Sequence, residues 1–287
     1  MRLGIVGLVP GDPRAITAEG LEKATALGVT SVCYHGGAST LFELTPADCQ
    51  RANTLYEQAS LELAQFGIGF SECLFDPNQA VRQSVIRTIG RGIEVARLLN
   101  AGCALIRTGS LNPRGAYSPS RKNHEPGCLE QLIETLRRVA DKAEQEGITI
   151  VIETHILTIM GSPEINRQVI QAVGSERMRI VMDFVNHFQN LDQVFHSEAR
   201  INHIYDVMGS ISAVAHIKDI KLSDGLVLHI DEEVPGAGEL NLIPAVRRWE
   251  ALFPDGYMLV EHLPDDKIPM AVANVRRIAA EAGVTIH

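Results

Sequence analysis

Residues 149–155 read TIVIETH, and this short stretch decides the fold. Apolar and β-branched residues run unbroken up to a glutamate, the pattern of a strand buried on both faces. Strands of that kind lie in parallel sheets covered by helices. A carboxylate at the end of one is costly unless something pairs with it, so Glu153 demands a partner.

Similar runs recur along the whole chain. LGIVGLV (3–9), TSVCYH (30–35), IGFSECL (68–74) and CALIRT (103–108) occupy the first half. ITIVIE (148–153), MRIVMD (178–183), AVAHIK (213–218) and YMLVEH (257–262) occupy the second. Segments of helical period lie between them. In residues 129–147, Leu129, Leu132, Ile133, Leu136, Val139, Ala140 and Ala143 form one stripe, the spacing of a helix packed on a sheet. Trp249, in AVRRWEAL, reads as helix packing. Thr45-Pro46, Asp76-Pro77 and Ser162-Pro163 read as N-caps followed by proline in the first turn. Gly28, Gly67, Gly147 and Gly283 stand where helices are expected to end. Eight β-then-α units without a linker predict a single (β/α)8 TIM barrel over residues 1–287, in preference to an open doubly wound sheet.

Composition narrows the function. The chain of 287 residues is 45% hydrophobic and carries a formal net charge of −9. That balance argues against nucleic acid as the partner, because phosphate binding needs concentrated Lys and Arg. RTGSLNPRGAYSPSRK (107–122) is the one notable basic cluster. No apolar run is long enough for a membrane span, and MRLGIVGLVPGDP reads as a first strand and turn, not a signal peptide. The five cysteines are scattered and never form a CxxC pair, which suits a reducing, cytoplasmic setting.

In a TIM barrel, function sits at the C-terminal ends of the strands and in the loops that follow. Two such loops are long and rich in Gly and Pro, 109–127 after the fourth strand and 222–240 after the seventh. Both have the character of active-site lids. Glu153 ends the fifth strand, Asp183 the sixth, His216 the seventh and Glu261 the eighth. Barrel closure makes these four neighbours. Three carboxylates converging on one point repel strongly, and a divalent cation resolves that repulsion. Oxygen ligands with one imidazole suit Mn2+ first, with Mg2+, Co2+ or Zn2+ as alternatives.

IETH (152–155), DFVN (183–186), HIKD (216–219), PGAGEL (235–240) and VEH (260–262) together resemble the xylose isomerase-like TIM-barrel superfamily, the sugar phosphate isomerase/epimerase group. The resemblance covers essentially the whole chain. It implies one divalent ion held by Glu153, Asp183, His216 and Glu261, with Glu153 and Glu261 also carrying protons in a sugar or keto-acid isomerisation or epimerisation. Asp219, grouped with the substrate contacts, is similar to the family's acidic residue after the ligand histidine, which orients that histidine from behind, and Asn186 stands where relatives place a substrate-contacting His or Asn. Strand parity adds His155 and Lys218 as substrate contacts. His35 and Arg107, at the ends of the second and fourth strands, complete that set. The implied partner is a small sugar or keto acid, with no nucleic acid or membrane, and a homo-oligomer is compatible with it.

Other chemistries share this framework. A lyase, dehydratase or C-glycoside-cleaving enzyme also starts from proton abstraction beside a carbonyl. The endonuclease-like branch needs three zinc ions and extra histidines. Here its D-x-x-H reads D-x-x-N with His187 one place late, HID (229–231) reverses its later D-x-H, and SECLF offers no histidine. A non-catalytic barrel that binds metal and sugar would be expected to lose a catalytic carboxylate, and both are present.

Overall fold

The structure is a computed structural model that describes residues 1–287. Eight parallel strands close a barrel: β1 (Arg2–Val6), β2 (Ser31–Gly36), β3 (Glu62–Ile68), β4 (Cys103–Arg107), β5 (Ile150–Glu153), β6 (Met178–Met182), β7 (Ser212–Ile217) and β10 (Tyr257–Val260). A two-stranded antiparallel hairpin, β8 (Asp219–Ser223) with β9 (His229–Glu233), projects between β7 and β10. The chain is a (β/α)8 TIM barrel, as the alternating pattern predicts.

The principal helices around it are α1 (Ala18–Ala26), α2 (Ala38–Glu43), α3 (Pro46–Ala59), α4 (Gln79–Leu98), α5 (Cys128–Glu146), α6 (Pro163–Val173), α7 (Leu191–Phe195), α8 (Ser197–Met208), α9 (Ile243–Leu252) and α10 (Ile268–Ala282). Thr45 and Ser162 cap α3 and α6 as expected, with proline in the first turn of each. None of the helices is long and apolar enough to cross a membrane.

Two hydrophobic clusters follow from strand parity. The large one fills the layer between strands and helices and includes the fully buried Trp249. The small one plugs the barrel with Cys33, Leu105, Val151, Val181, Val214 and Leu259 among its members. Successive side chains alternate across a strand. Two residues beyond Val151, Val181, Val214 and Leu259 therefore come Glu153, Asp183, His216 and Glu261, on the same inward side. The plug is the floor of the candidate site.

The structure departs from the sequence pattern in four places. The third strand is Glu62–Ile68, not 68–74, so Gly67 lies within a strand instead of ending a helix. Helix α3 ends instead at Ser60, a left-handed residue with φ 53°. The polar Gln65 and the side-chain-free Gly67 obscure β3, and both have local work. Gln65 holds His216, and a Cβ on residue 67 would collide with the His35 ring. Helix α4 begins at Gln79 under an Asn78 cap, while Asp76 accepts from the Asn78 N–H ahead of it. The 222–240 segment is not wholly loop, since it contains most of the hairpin.

Candidate metal centre

Glu153, Asp183, His216 and Glu261 meet at the C-terminal mouth of the barrel. One ligand atom from each lies within 4.8 Å of the others, and all four residues are buried. Pairs of unit charges about 4 Å apart cost on the order of 4 kcal/mol at an effective dielectric of 20, so three carboxylates here need positive charge.

The protein supplies part of it. Lys218, 1% exposed, places Nζ 2.7 Å from Asp183 Oδ2 and 3.1 Å from Glu261 Oε2. Burial opposes its charge, yet Asp183, Glu261 and Glu153 together hold its pKa above that of an ordinary lysine. Arg107 Nε donates to Glu153 Oε2 at 3.0 Å, and the Tyr117 hydroxyl donates to the same oxygen at 3.0 Å. The Arg107 guanidinium also lies over the Tyr117 ring, 5.1 Å from its centre. Tyr117 thereby draws the 109–127 loop over the site. Burial pushes the Asp183 carboxyl above the usual range, and Lys218 and His216 offset this only in part. At Glu261 burial acts in the same sense, but His216 and Lys218 outweigh it and hold the group well below the usual range.

His216 shows what the cluster fits. Its Nε2 lies 3.1 Å from Gln65 Oε1, a carbonyl oxygen that can only accept. Nε2 therefore carries the proton, by the logic of the network. When Nδ1 carries no proton it presents a lone pair to a cation, and it sits 2.7 Å from Glu261 Oε2 and 3.8 Å from Asp183 Oδ2. Nδ1, Asp183 Oδ1 and both Glu261 oxygens are buried without hydrogen-bond partners. Acceptors gathered face to face in this way match the donor set of a divalent cation, with Gln65 orienting the imidazole from behind.

The other predicted residues separate into those at the cluster and one that is not. Asn186 Nδ2 donates to Asp183 Oδ2 at 2.9 Å and to the Thr154 carbonyl at 3.2 Å. His35 Nε2 is 3.3 Å from Arg107 Nη2, and burial, followed by the Arg107 charge, lowers its pKa to about 4. His155 stands beside the cluster; its Nδ1 accepts from the Leu157 N–H. Asp219, expected among the substrate contacts, has a different task. Its two oxygens accept from the N–H groups of Ile220, Gly236, Gly238 and Leu240 at 2.8–3.1 Å, pinning the PGAGEL turn to the base of the hairpin. A side chain on residue 238 would strike that carboxylate, which accounts for the glycine.

Sequence reasoning misses Gln65, Tyr117, Glu232 and His262. A glutamine inside an apolar run is the one signal that points to Gln65. Tyr117 lies in a loop without periodicity. His262 Nδ1 is 3.1 Å from Lys218 Nζ, across the β7–β10 pair, and 3.3 Å from Glu232 Oε1, a contact made only once the hairpin folds back.

No curated protein matches the sequence. Among solved structures, the chain is similar to a xylose isomerase-like TIM barrel protein from Mycobacterium smegmatis in complex with magnesium (TM-score 0.74, 16% identity, 98% of this chain and 96% of that one). It is similar to D-psicose 3-epimerase with D-tagatose from Clostridium cellulolyticum H10 (TM-score 0.71, 15% identity, 100% of both chains). It is also similar to the 3-keto-D-glucoside 4-epimerase of E. coli (TM-score 0.70, 14% identity, 96% of this chain and 99% of that one). At these identities the likeness is one of fold. The sequence itself matches the xylose isomerase-like TIM barrel family over residues 21–286, and the chain belongs to that family.

Proposed function

We propose that the protein is a divalent-metal-dependent isomerase or epimerase of a sugar or sugar-derived keto acid. Glu153, Asp183, His216 and Glu261 are its metal ligands, and Glu153 and Glu261 are its proton carriers. The observation that carries this reading is the convergence of four buried ligand atoms within 4.8 Å, several of them without hydrogen-bond partners. The epimerases among the similar structures, and the one that holds magnesium, support it. Mn2+ is the ion expected first, on the donor set.

A bound divalent ion would polarise the substrate carbonyl and acidify the adjacent C–H. The chain's own residues do the rest. Glu153 has one oxygen, Oε2, committed to Arg107 and Tyr117, which fixes the carboxylate and leaves Oε1 to take a proton from carbon. Glu261 reaches the site from the next strand but two around the closed sheet, with Oε2 beside Lys218 and Oε1 not spent on a hydrogen bond. A proton removed by one carboxylate and returned by the other to the opposite face of the same carbon gives an epimer. Returned to the neighbouring carbon, it gives an isomer. Each well-placed acid–base group contributes about 10²- to 10⁴-fold. Lys218 and Asn186 hold the Asp183 carboxylate in place, and His35, Arg107 and His155 line the approach for substrate hydroxyls.

Incubation of the Mn2+-loaded protein with a panel of ketoses and keto acids in D2O tests this reading. Mass spectrometry is expected to find one deuterium on carbon beside the carbonyl of a substrate and of its product. Absence of exchange across the panel, with metal bound, would overturn it.

A further inference from the structure

Beside the cluster lies a cavity of about 290 Å3. It shares Asn186 and His155 with the surroundings of Asp183 and Glu153, so a molecule seated on the cluster can extend into this space. Its walls are mostly apolar, built by Ile156, Val185, Phe188, Ile220 and Ile230. Its charged edge is a carboxylate, Glu232, carried in on the hairpin. No lysine or arginine lines it.

The cations nearby are already engaged. Lys218 is paired with Asp183 and Glu261 and lies 3.9 Å from Glu232, and Arg107 is paired with Glu153. A phosphate or carboxylate arriving in the cavity would meet the Glu232 carboxylate, which has His262 Nδ1 3.3 Å away, and no free lysine or arginine, and desolvating an anion against apolar walls is costly.

We infer that this cavity receives the remote end of the substrate, that it takes an uncharged and partly apolar end such as the terminal methyl of a 6-deoxy ketose, and that Glu232 is the residue that excludes terminal phosphates. This rests on the carbonyl-sugar reading above and gives it a substrate class, unphosphorylated sugars. The two apolar hairpin positions, Ile220 and Ile230, and Glu232 come from one insertion between β7 and α9. Specificity is therefore concentrated there, apart from the metal ligands.

Calorimetric titration of the Mn2+-loaded protein with three probes tests the inference: a 6-deoxy ketohexose, the parent ketohexose and its 6-phosphate. The 6-deoxy sugar is expected to bind at least as tightly as the parent. The gain, that of not burying one hydroxyl without a partner, is roughly tenfold at sites of this kind. The 6-phosphate is expected to bind at least tenfold more weakly than the parent. Glu232→Gln should narrow that gap and Glu232→Lys should close or reverse it. Tighter binding of the phosphate by the wild type, a gap indifferent to both Glu232 variants, or no binding of either neutral sugar would each overturn the inference. Binding in the expected order without deuterium exchange would leave the cavity assignment standing and overturn only the isomerase reading.

Discussion

Gln65 holds His216 from behind, its Oε1 3.1 Å from the imidazole Nε2, and so turns Nδ1 toward the carboxylates of Asp183 and Glu261. Gln65→Met keeps the volume and removes the acceptor. Partners of this kind typically contribute 10- to 100-fold to metal affinity. Equilibrium dialysis against Mn2+ is expected to show a loss of about that size in a protein whose circular dichroism is unchanged. Undiminished affinity would mean that the imidazole is oriented by packing alone.

Lys218 gives the cluster a positive charge of its own. Lys218→Met leaves buried carboxylates uncompensated, and breaking a buried pair costs about 3–5 kcal/mol. The metal-free variant should therefore melt well below the metal-free wild type, and saturating Mn2+ should recover most of the difference. Equal losses in both states would assign Lys218 to packing.

Conservative substitutions separate holding metal from moving protons. Glutamine keeps an oxygen ligand but accepts no proton from carbon. Glu153→Gln and Glu261→Gln are expected to retain Mn2+ at saturation and to lose about 10²-fold or more in turnover. Near-normal turnover in both metal-loaded variants would sink the two-glutamate mechanism.

Acid should destabilise the fold through a histidine away from the ligands. Burial, and then the Arg200 charge, lowers the His187 pKa to about 3, and its Nε2 lies 3.2 Å from Thr154 Oγ1. The unfolded chain takes up this proton near the ordinary histidine value, about 6.5, whereas the native state does so only near 3. Stability tied to the neutral ring is thus present above that ordinary value and is lost as pH falls below it. One such group costs about 2 kcal/mol between pH 7 and pH 5. Urea unfolding at the two pH values should show His187→Gln losing less stability than the wild type by about that amount. An identical loss would locate the acid sensitivity elsewhere.

The barrel is legible because its strands are apolar and its helices periodic, and the four candidate ligands are legible because each follows a plug residue by two positions. What escapes is whatever breaks those rules for a local reason. Strand β3 is masked by Gln65 and Gly67, one polar where the plug continues and the other small enough to admit the His35 ring. Tyr117 and Glu232 reach the site through loop and hairpin geometry, which no periodicity encodes. Asp219 looks like a site residue from its neighbours in sequence, yet four backbone N–H groups absorb its carboxylate.

That same clasp makes the hairpin a module. Because Asp219 ties residues 236–240 back to the end of β7, the chain from 220 to 235 leaves and returns at one fixed point on the barrel rim. Lengthening a closed loop costs only about 0.6 kcal/mol per doubling. Evolution, or a protein engineer, can therefore exchange the ribbon for one of different length or charge while the barrel and its four strand-end residues stay as they are. Within a lineage that keeps the clasp, substrate preference should drift faster than the chemistry.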